Sequence, residues 1–101
     1  MRDLQFYWLG NRTLLQVAGG DTFKFLQNLI TNDINDVHNN LIYTALLTPQ
    51  GKYLFDFFIF KKSDFSVVID IASQSKEAFL QRMKMYKLRS DVNISEINGR
   101  V

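Results

Sequence analysis

Asp56 is the residue of this chain whose type and place could do chemistry. It shares one face of the run Tyr53–Phe60 with Leu54, Phe58 and Phe60, because side chains alternate along a strand. A carboxylate among apolar neighbours is costly unless it is paired. Two roles fit such an acid. It is a structural group bonded to a turn or to Lys52, or it is a ligand-binding or catalytic acid. Other chemistry is sharply bounded. The sequence has no Cys, which excludes disulfides, a thiol nucleophile and cysteine-ligated metal clusters. A lone His38 makes a protein-only metal site unexpected. Gly19-Gly20 ahead of a helix could cradle a phosphate. The pair lacks GxGxxG spacing and a Walker lysine, and Asp21 would repel an anion, so a structural turn is the expectation. Lys76, Arg82, Lys84, Lys87 and Arg89 form a basic side of a second helix. That pattern suits a solvated face with cations near the helix C-terminus better than an anion-binding patch.

The elements that must position Asp56 are two strands and a turn. Leu41–Leu47 and Tyr53–Phe60 are rich in aromatic and aliphatic residues. Between them, Thr48-Pro49-Gln50-Gly51-Lys52 supplies a fixed φ at Pro49 and a possible positive φ at Gly51. Strict alternation puts Tyr53, Phe55, Phe57 and Ile59 on the face opposite Asp56. Both faces are then apolar, so the strand should be covered on both sides or expose a sticky surface.

The rest of the chain supplies the layers. Residues 1–10, with Phe6, Tyr7, Trp8 and Leu9, read as a short edge strand or an apolar arm. Thr13–Val17 reads as a strand, and Asp21 as the N-cap of a helix carrying Phe23, Leu26, Leu29 and Ile30 at helical spacing. Thr31-Asn32-Asp33 stops that helix, and residues 35–40 read as loop. After a polar turn at Lys61–Asp64, the strand Phe65–Ile71 points Phe65, Val67, Ile69 and Ile71 inward. A helix from Ser75 to Lys87 buries Phe79, Leu80, Met83 and Tyr86, and a last strand covers Asp91–Ile97. The order β-α-β-β-β-α-β predicts an α+β, ferredoxin-like antiparallel sheet with two helices on one face.

Length and charge narrow the class. A chain of 101 residues makes a single domain, residues 1–101, with one core. The net charge of +2 permits an anionic ligand without demanding one. No apolar run reaches membrane-spanning length, and the N-terminus is too short and polar for a signal peptide, so a cytoplasmic location is expected and no membrane partner.

Several blocks together resemble a known family. They are Arg12-x-Leu14-Leu15-x-Val17-x-Gly19-x-Asp21, then Phe25-Leu26-Gln27-x-Leu29-Ile30-Thr31-Asn32-Asp33. Further on come Tyr43-x-Ala45-Leu46-Leu47-Thr48-Pro49-Gln50-Gly51-Lys52, Asp56, and Tyr86-x-Leu88-Arg89-x-x-Val92. Over nearly its whole length the chain resembles the N-terminal part of the YgfZ-type folate-binding proteins, relatives of the glycine-cleavage aminomethyltransferase. The resemblance implies a tetrahydrofolate-linked protein that supports assembly or repair of iron–sulfur enzymes and the tRNA modification that depends on them. It implies a folate-binding set of Arg12, Tyr43, Gln50, Gly51, Lys52 and Asp56, with no catalytic residue and no metal ligand. The transferase branch carries two consecutive acids, where this chain has Phe55 and Asp56, and a second Gly, where it has Lys52. Both differences match the YgfZ branch and argue against enzymatic activity of this domain alone. Family members are much longer, and their KGCxxGQE motif lies beyond the equivalent of this C-terminus. The missing domains, or a second copy of the chain in a homodimer, would complete the folate cavity. Contact with iron–sulfur proteins would be indirect.

Other functional classes remain open on the sequence. A ferredoxin-like RNA-binding module would stack bases on Tyr53, Phe55 and Phe57. However, Gly51-Lys52-Tyr53-Leu54-Phe55 departs from the RNP1 pattern and the charge is low, so direct nucleic-acid binding is not expected. A self-associating structural domain, dimerising through that aromatic face, and an aminomethyltransferase-related enzyme are the remaining alternatives.

Overall fold

The computed structural model describes residues 12–38, 40–48 and 50–97, so the aromatic arm at residues 1–10 and the Pro49 position lie outside the described residues. Among the described residues, five strands and two α-helices follow in the order expected. They are β1 (Arg12–Ala18), α1 (Thr22–Gln27), β2 (Ile42–Leu47), β3 (Tyr53–Ser63), β4 (Ser66–Ala72), α2 (Lys76–Lys87) and β5 (Asn93–Glu96). The sheet order is β2-β3-β4-β1-β5, and every pairing is antiparallel. The strands β5-β1-β4-β3 carry the ferredoxin-like arrangement, and β2 extends it as a fifth strand. Short 3-10 turns at Ile34–His38 and Ser73–Ser75 complete the chain. The first of these falls in the segment read as loop.

Both helices lie on one face. Phe25 and Leu26 of α1 and Phe79 and Met83 of α2 join Leu15, Val17, Phe57, Ile59, Ile69 and Ile71 of the sheet in one buried cluster. Phe79 meets Phe57 and Phe55 edge to face, at 5.4 and 5.8 Å between ring centres. Edge-to-face pairs of this kind add directional attraction to apolar burial.

Two turns needed glycine. Gly51 adopts φ +89, and the loop closes with the Gly51 N–H donating to Thr48 O at 2.8 Å. Gly19 adopts φ +140, and a Cβ there would stand 2.2 Å from the carbonyl oxygen of Asp91. The β1–α1 turn thus packs backbone against backbone on the α2–β5 loop. Asp21 does not cap α1 with its side chain. Its carboxylate accepts the Asp91 N–H at 2.8 Å, while the Asp91 carboxylate accepts the Gly20 N–H at 3.0 Å. This reciprocal clamp takes up the Gly20 N–H, which fits a structural turn rather than a phosphate cradle. The helix is also shorter than its apolar spacing suggests. It ends at Gln27, and Ile30 instead bridges to Leu46. The Thr31 N–H donates to Ala45 O at 3.0 Å, so residues 29–31 shield the outer edge of β2. Phe65 sits in the β3–β4 turn, 61% exposed, and does not point inward.

Candidate functional site

The face of the sheet away from the helices carries the site. β2 and β3 pair so that Ala45 opposes Asp56 and Tyr43 opposes Phe58. Phe58 in turn opposes Asp70 of β4, which opposes Leu14 of β1. Asp56 is exposed there, outside the dry core. The Tyr43 hydroxyl donates a hydrogen bond to Asp56 Oδ2. The Tyr43 and Phe58 rings lie 5.1 Å apart, tilted by 52°. The Arg12 guanidinium stands 6.0 Å above the Phe58 ring, within cation–π range. Its Nε donates to Asp70 Oδ1 at 2.9 Å, and Nη2 donates to the Asp70 carbonyl oxygen at 3.0 Å. Asp70 is buried, so this ion pair fixes Arg12 beside the cluster.

Alternation misplaced one wall of the site. Leu46 pairs with Phe55 and Leu47 with Tyr53, which leaves Leu54 as an extra residue in β3. Such a β-bulge sets two residues of one strand against one of its partner. Consecutive Leu54 and Phe55 therefore both pack toward the helix-side core. Tyr53 moves to the Asp56 face. The Tyr43 hydrogen bond first, and the Tyr53 phenol on the same face second, hold the Asp56 carboxyl below the usual carboxylate range. The Asp56 carboxylate in turn holds both phenols above their ordinary value, because ionising either would set two anions together.

The aromatic face expected for base stacking or dimerisation does not form. Phe57 is fully buried under α2, Phe55 packs on Phe79, and Tyr53 lies on the opposite side. The aromatic groups that do reach solvent near Asp56 are Tyr43 and Tyr53, 56% and 60% exposed. Phe60 is exposed on that face too.

Of the sequence-derived site residues, Arg12, Tyr43 and Asp56 come together around Phe58. Gln50, Gly51 and Lys52 are exposed at the hairpin tip. Among the described residues no hydrogen bond joins them to Asp56. Its side-chain hydrogen-bond partner among the described residues is the Tyr43 phenol, not Lys52 or a turn. Tyr53, Phe58 and Asp70 belong to the cluster and were missing from the sequence-derived set. Counting by twos along β3 could have found Phe58, but only the register reveals Tyr53. A separate shallow cleft of about 340 Å³ lies between α1 and the end of α2, lined by Lys24, Phe25, Asn28, Tyr86 and Arg89 among others. It contains none of the Asp56 cluster. Among the described residues no group of His, Cys, Asp and Glu could hold a metal ion, and no helix is long and apolar enough to cross a membrane.

No family model matches the sequence. The chain is 38% identical over 93 residues to an iron–sulfur cluster assembly factor IBA57 homologue, mitochondrial, of Neurospora crassa, covering 85% of this chain and 21% of the relative. It is 34% identical over 90 residues to an aminomethyltransferase of Thermoanaerobacter, covering 86% of this chain and 24% of that protein. The fold matches the crystal structure of glycine cleavage system aminomethyltransferase T from Bartonella henselae with a TM-score of 0.76. The identity there is 14%, over 85% of this chain and 24% of that one. The chain thus spans a quarter or less of the length of these relatives. The name of the Neurospora relative carries a mitochondrial location, in contrast with the cytoplasmic one expected from the sequence. In sequence this chain is similar to the IBA57 iron–sulfur cluster assembly factors and to aminomethyltransferases, and in fold to an aminomethyltransferase.

Proposed function

We propose that this chain is the tetrahydrofolate-binding N-terminal segment of a YgfZ-type protein that supports iron–sulfur cluster assembly or repair, and through those enzymes tRNA modification. The observation that carries the reading is an ionised, exposed carboxylate bracketed by aromatic side chains on an open sheet face. A carboxylate offers about four lone-pair sites, so Asp56 can accept ligand N–H groups beside its bond from Tyr43. A pterin edge presents such donors, and its ring suits the flat surfaces of Tyr43 and Phe58. Arg12, held by Asp70, supplies positive charge for the anionic tail of a folate. Gln50, Gly51 and Lys52 lie at the end of the same hairpin and would meet the ligand from its rim.

The assembly role rests on the relatives named as assembly factors. Phe55 also favours it over aminomethyl transfer. It stands where the transferase branch carries an acid, and its ring is committed to Phe79 on the helix side. The open face with Tyr43, Tyr53 and Phe60 would meet the further domains of a longer protein, or a second copy. The test is made in cells. Removing the protein should lower the activity of iron–sulfur enzymes, and the wild-type gene should restore it while Asp56→Asn does not. Normal iron–sulfur enzyme activity in the deletion strain would reject the assembly role.

A further inference from the structure

We propose that the cleft between α1 and the end of α2 is a docking site for an acidic segment of a partner protein. It opens on the helix side of the sheet, away from Asp56, and holds about 340 Å³. Buried Phe25 and half-buried Leu29 supply its apolar lining. Lys24 and Asn28 line one wall, and Tyr86 and Arg89 the other. None of the Asp56 cluster takes part, so the proposal stands apart from the folate reading.

The fold divides the cations that the sequence groups on one side of α2. Lys76 is paired with Glu96 at 2.9 Å and with Glu77 at 3.7 Å. Lys87 is turned back, its Nζ donating to Val92 O at 2.9 Å. Lys84 is two residues from both Arg82 and Tyr86, so it projects from the other flank of the helix. Arg82, Tyr86 and Arg89 recur at spacings of four and three and share the flank toward α1. Among the described residues, Lys24 and Arg89 make no hydrogen bond or ion pair.

The lining is rich in donors. Arg82 Nη1 donates to the Tyr86 hydroxyl at 3.3 Å. A hydroxyl that accepts from Arg82 keeps its own hydrogen for another acceptor. Lys24, Arg89 and the Asn28 amide bring further N–H groups. Asp21 also lines the cleft, but its carboxylate already accepts the Asp91 N–H at 2.8 Å. An anionic, acceptor-rich ligand complements this set. Small-molecule sites enclose most of their ligand, whereas this cleft is shallow with exposed cations at its edges. Carboxylates of a protein segment can reach those edges while an apolar side chain between them rests on Phe25 and Leu29. Nucleic acid suits the cleft less, since phosphate-backbone binding draws on many cations together.

Amide-shift NMR of the 101-residue chain, titrated with an acetylated synthetic peptide of repeated Glu-Glu-Leu units, tests the proposal. Saturable shifts at the residues lining the cleft are expected, with the amides around Asp56 unmoved. Lys24→Gln and Arg89→Gln should each weaken the peptide by about two- to fivefold, the scale of an exposed ion pair, and together by about tenfold. Tyr86→Phe keeps the ring and should weaken it by about threefold through the lost O–H donor. Lys84→Gln removes the same charge from the other flank and should leave the affinity within about twofold. Amide spectra unchanged away from the cleft verify that each variant is folded. A peptide that does not saturate, or whose shifts map to the open sheet face, overturns the proposal. So does an equal loss for Lys84→Gln, which would reduce the effect to net charge. Tighter binding of mixed-sequence single-stranded RNA at the same residues would make the cleft a nucleic-acid site. Equally tight binding of free glutamate would make it a small-anion site, and either result overturns the acidic-segment assignment.

Discussion

Truncating Phe57 and Phe60 separately measures which face of β3 is the core. Phe57 is fully buried and meets Phe79 edge to face at 5.4 Å. Replacing a buried Phe by Ala removes its transfer energy and leaves a cavity, at a cost of about 3–5 kcal/mol. Phe60 lies on the open face, 36% exposed. Its truncation forfeits roughly two-thirds of the 1.5–3 kcal/mol that full burial of a Phe contributes, or about 1–2 kcal/mol, with no cavity to add. The gap between the two should be about 2 kcal/mol, a large share of the 5–15 kcal/mol typical of a domain. Urea unfolding followed by far-ultraviolet circular dichroism reads both values. Repeating it over a range of protein concentrations separates folding from association. If Phe60→Ala costs as much as Phe57→Ala, the layer assignment is wrong. If the cost of Phe57→Ala disappears on dilution, that ring belongs to an interface between copies.

Other substitutions test particular joints. Gly19→Ala should cost more than about 1 kcal/mol, since φ +140 is strained for an L residue and the new Cβ meets Asp91 O at 2.2 Å. Gly51→Ala should cost about 1–2 kcal/mol in the same urea assay, because φ +89 is unfavourable but the space around it is empty. Asp21→Ala should lose about 1 kcal/mol through the Asp91 N–H bond, and hydrogen exchange at the Asp91 amide should quicken. The Asp56 carboxyl is depressed in the folded state, so its contribution to stability is complete above a pH of about 4 and is lost as the pH falls through the folded value. The stability difference between wild type and Asp56→Asn should shrink in that window. The Tyr43 and Tyr53 phenols are raised, so their contribution is complete below a pH of about 10 and is lost above it.

The β2–β3 hairpin was legible because its signals are local. Two apolar runs flank a turn with a Pro-x-Gly, and Gly51 takes the positive φ that the turn demands. The stripe Phe79, Met83 and Tyr86 likewise settles α2 at 3.6-residue spacing. The Leu54 bulge was not legible. Assigning faces by alternation is a count by twos, and one extra residue reverses every assignment beyond it. That reversal moved Tyr53 into the site and out of the aromatic face imagined for base stacking. Asp21 shows the same limit in another form. Its type and position suit an N-cap, but its partner is the Asp91 N–H, which only the closed fold brings near. The early end of α1 is also a tertiary effect, since Ile30 leaves helical geometry to bridge Leu46 on β2. Arg12, Tyr43 and Asp56 lie together around Phe58, whereas Asp70, which fixes Arg12, carries no signal short of the strand register.

Asp56 is proposed as the acceptor of a folate ligand. Isothermal titration of tetrahydrofolate into the full-length protein and into its Asp56→Asn variant tests it most directly. Saturable binding by the wild type, weakened about 10- to 100-fold in the isosteric variant with the fold intact, is the predicted result, since charge-assisted hydrogen bonds are worth about 1.5–3 kcal/mol. Equal affinity in the two proteins, or no saturable binding in either, would contradict it.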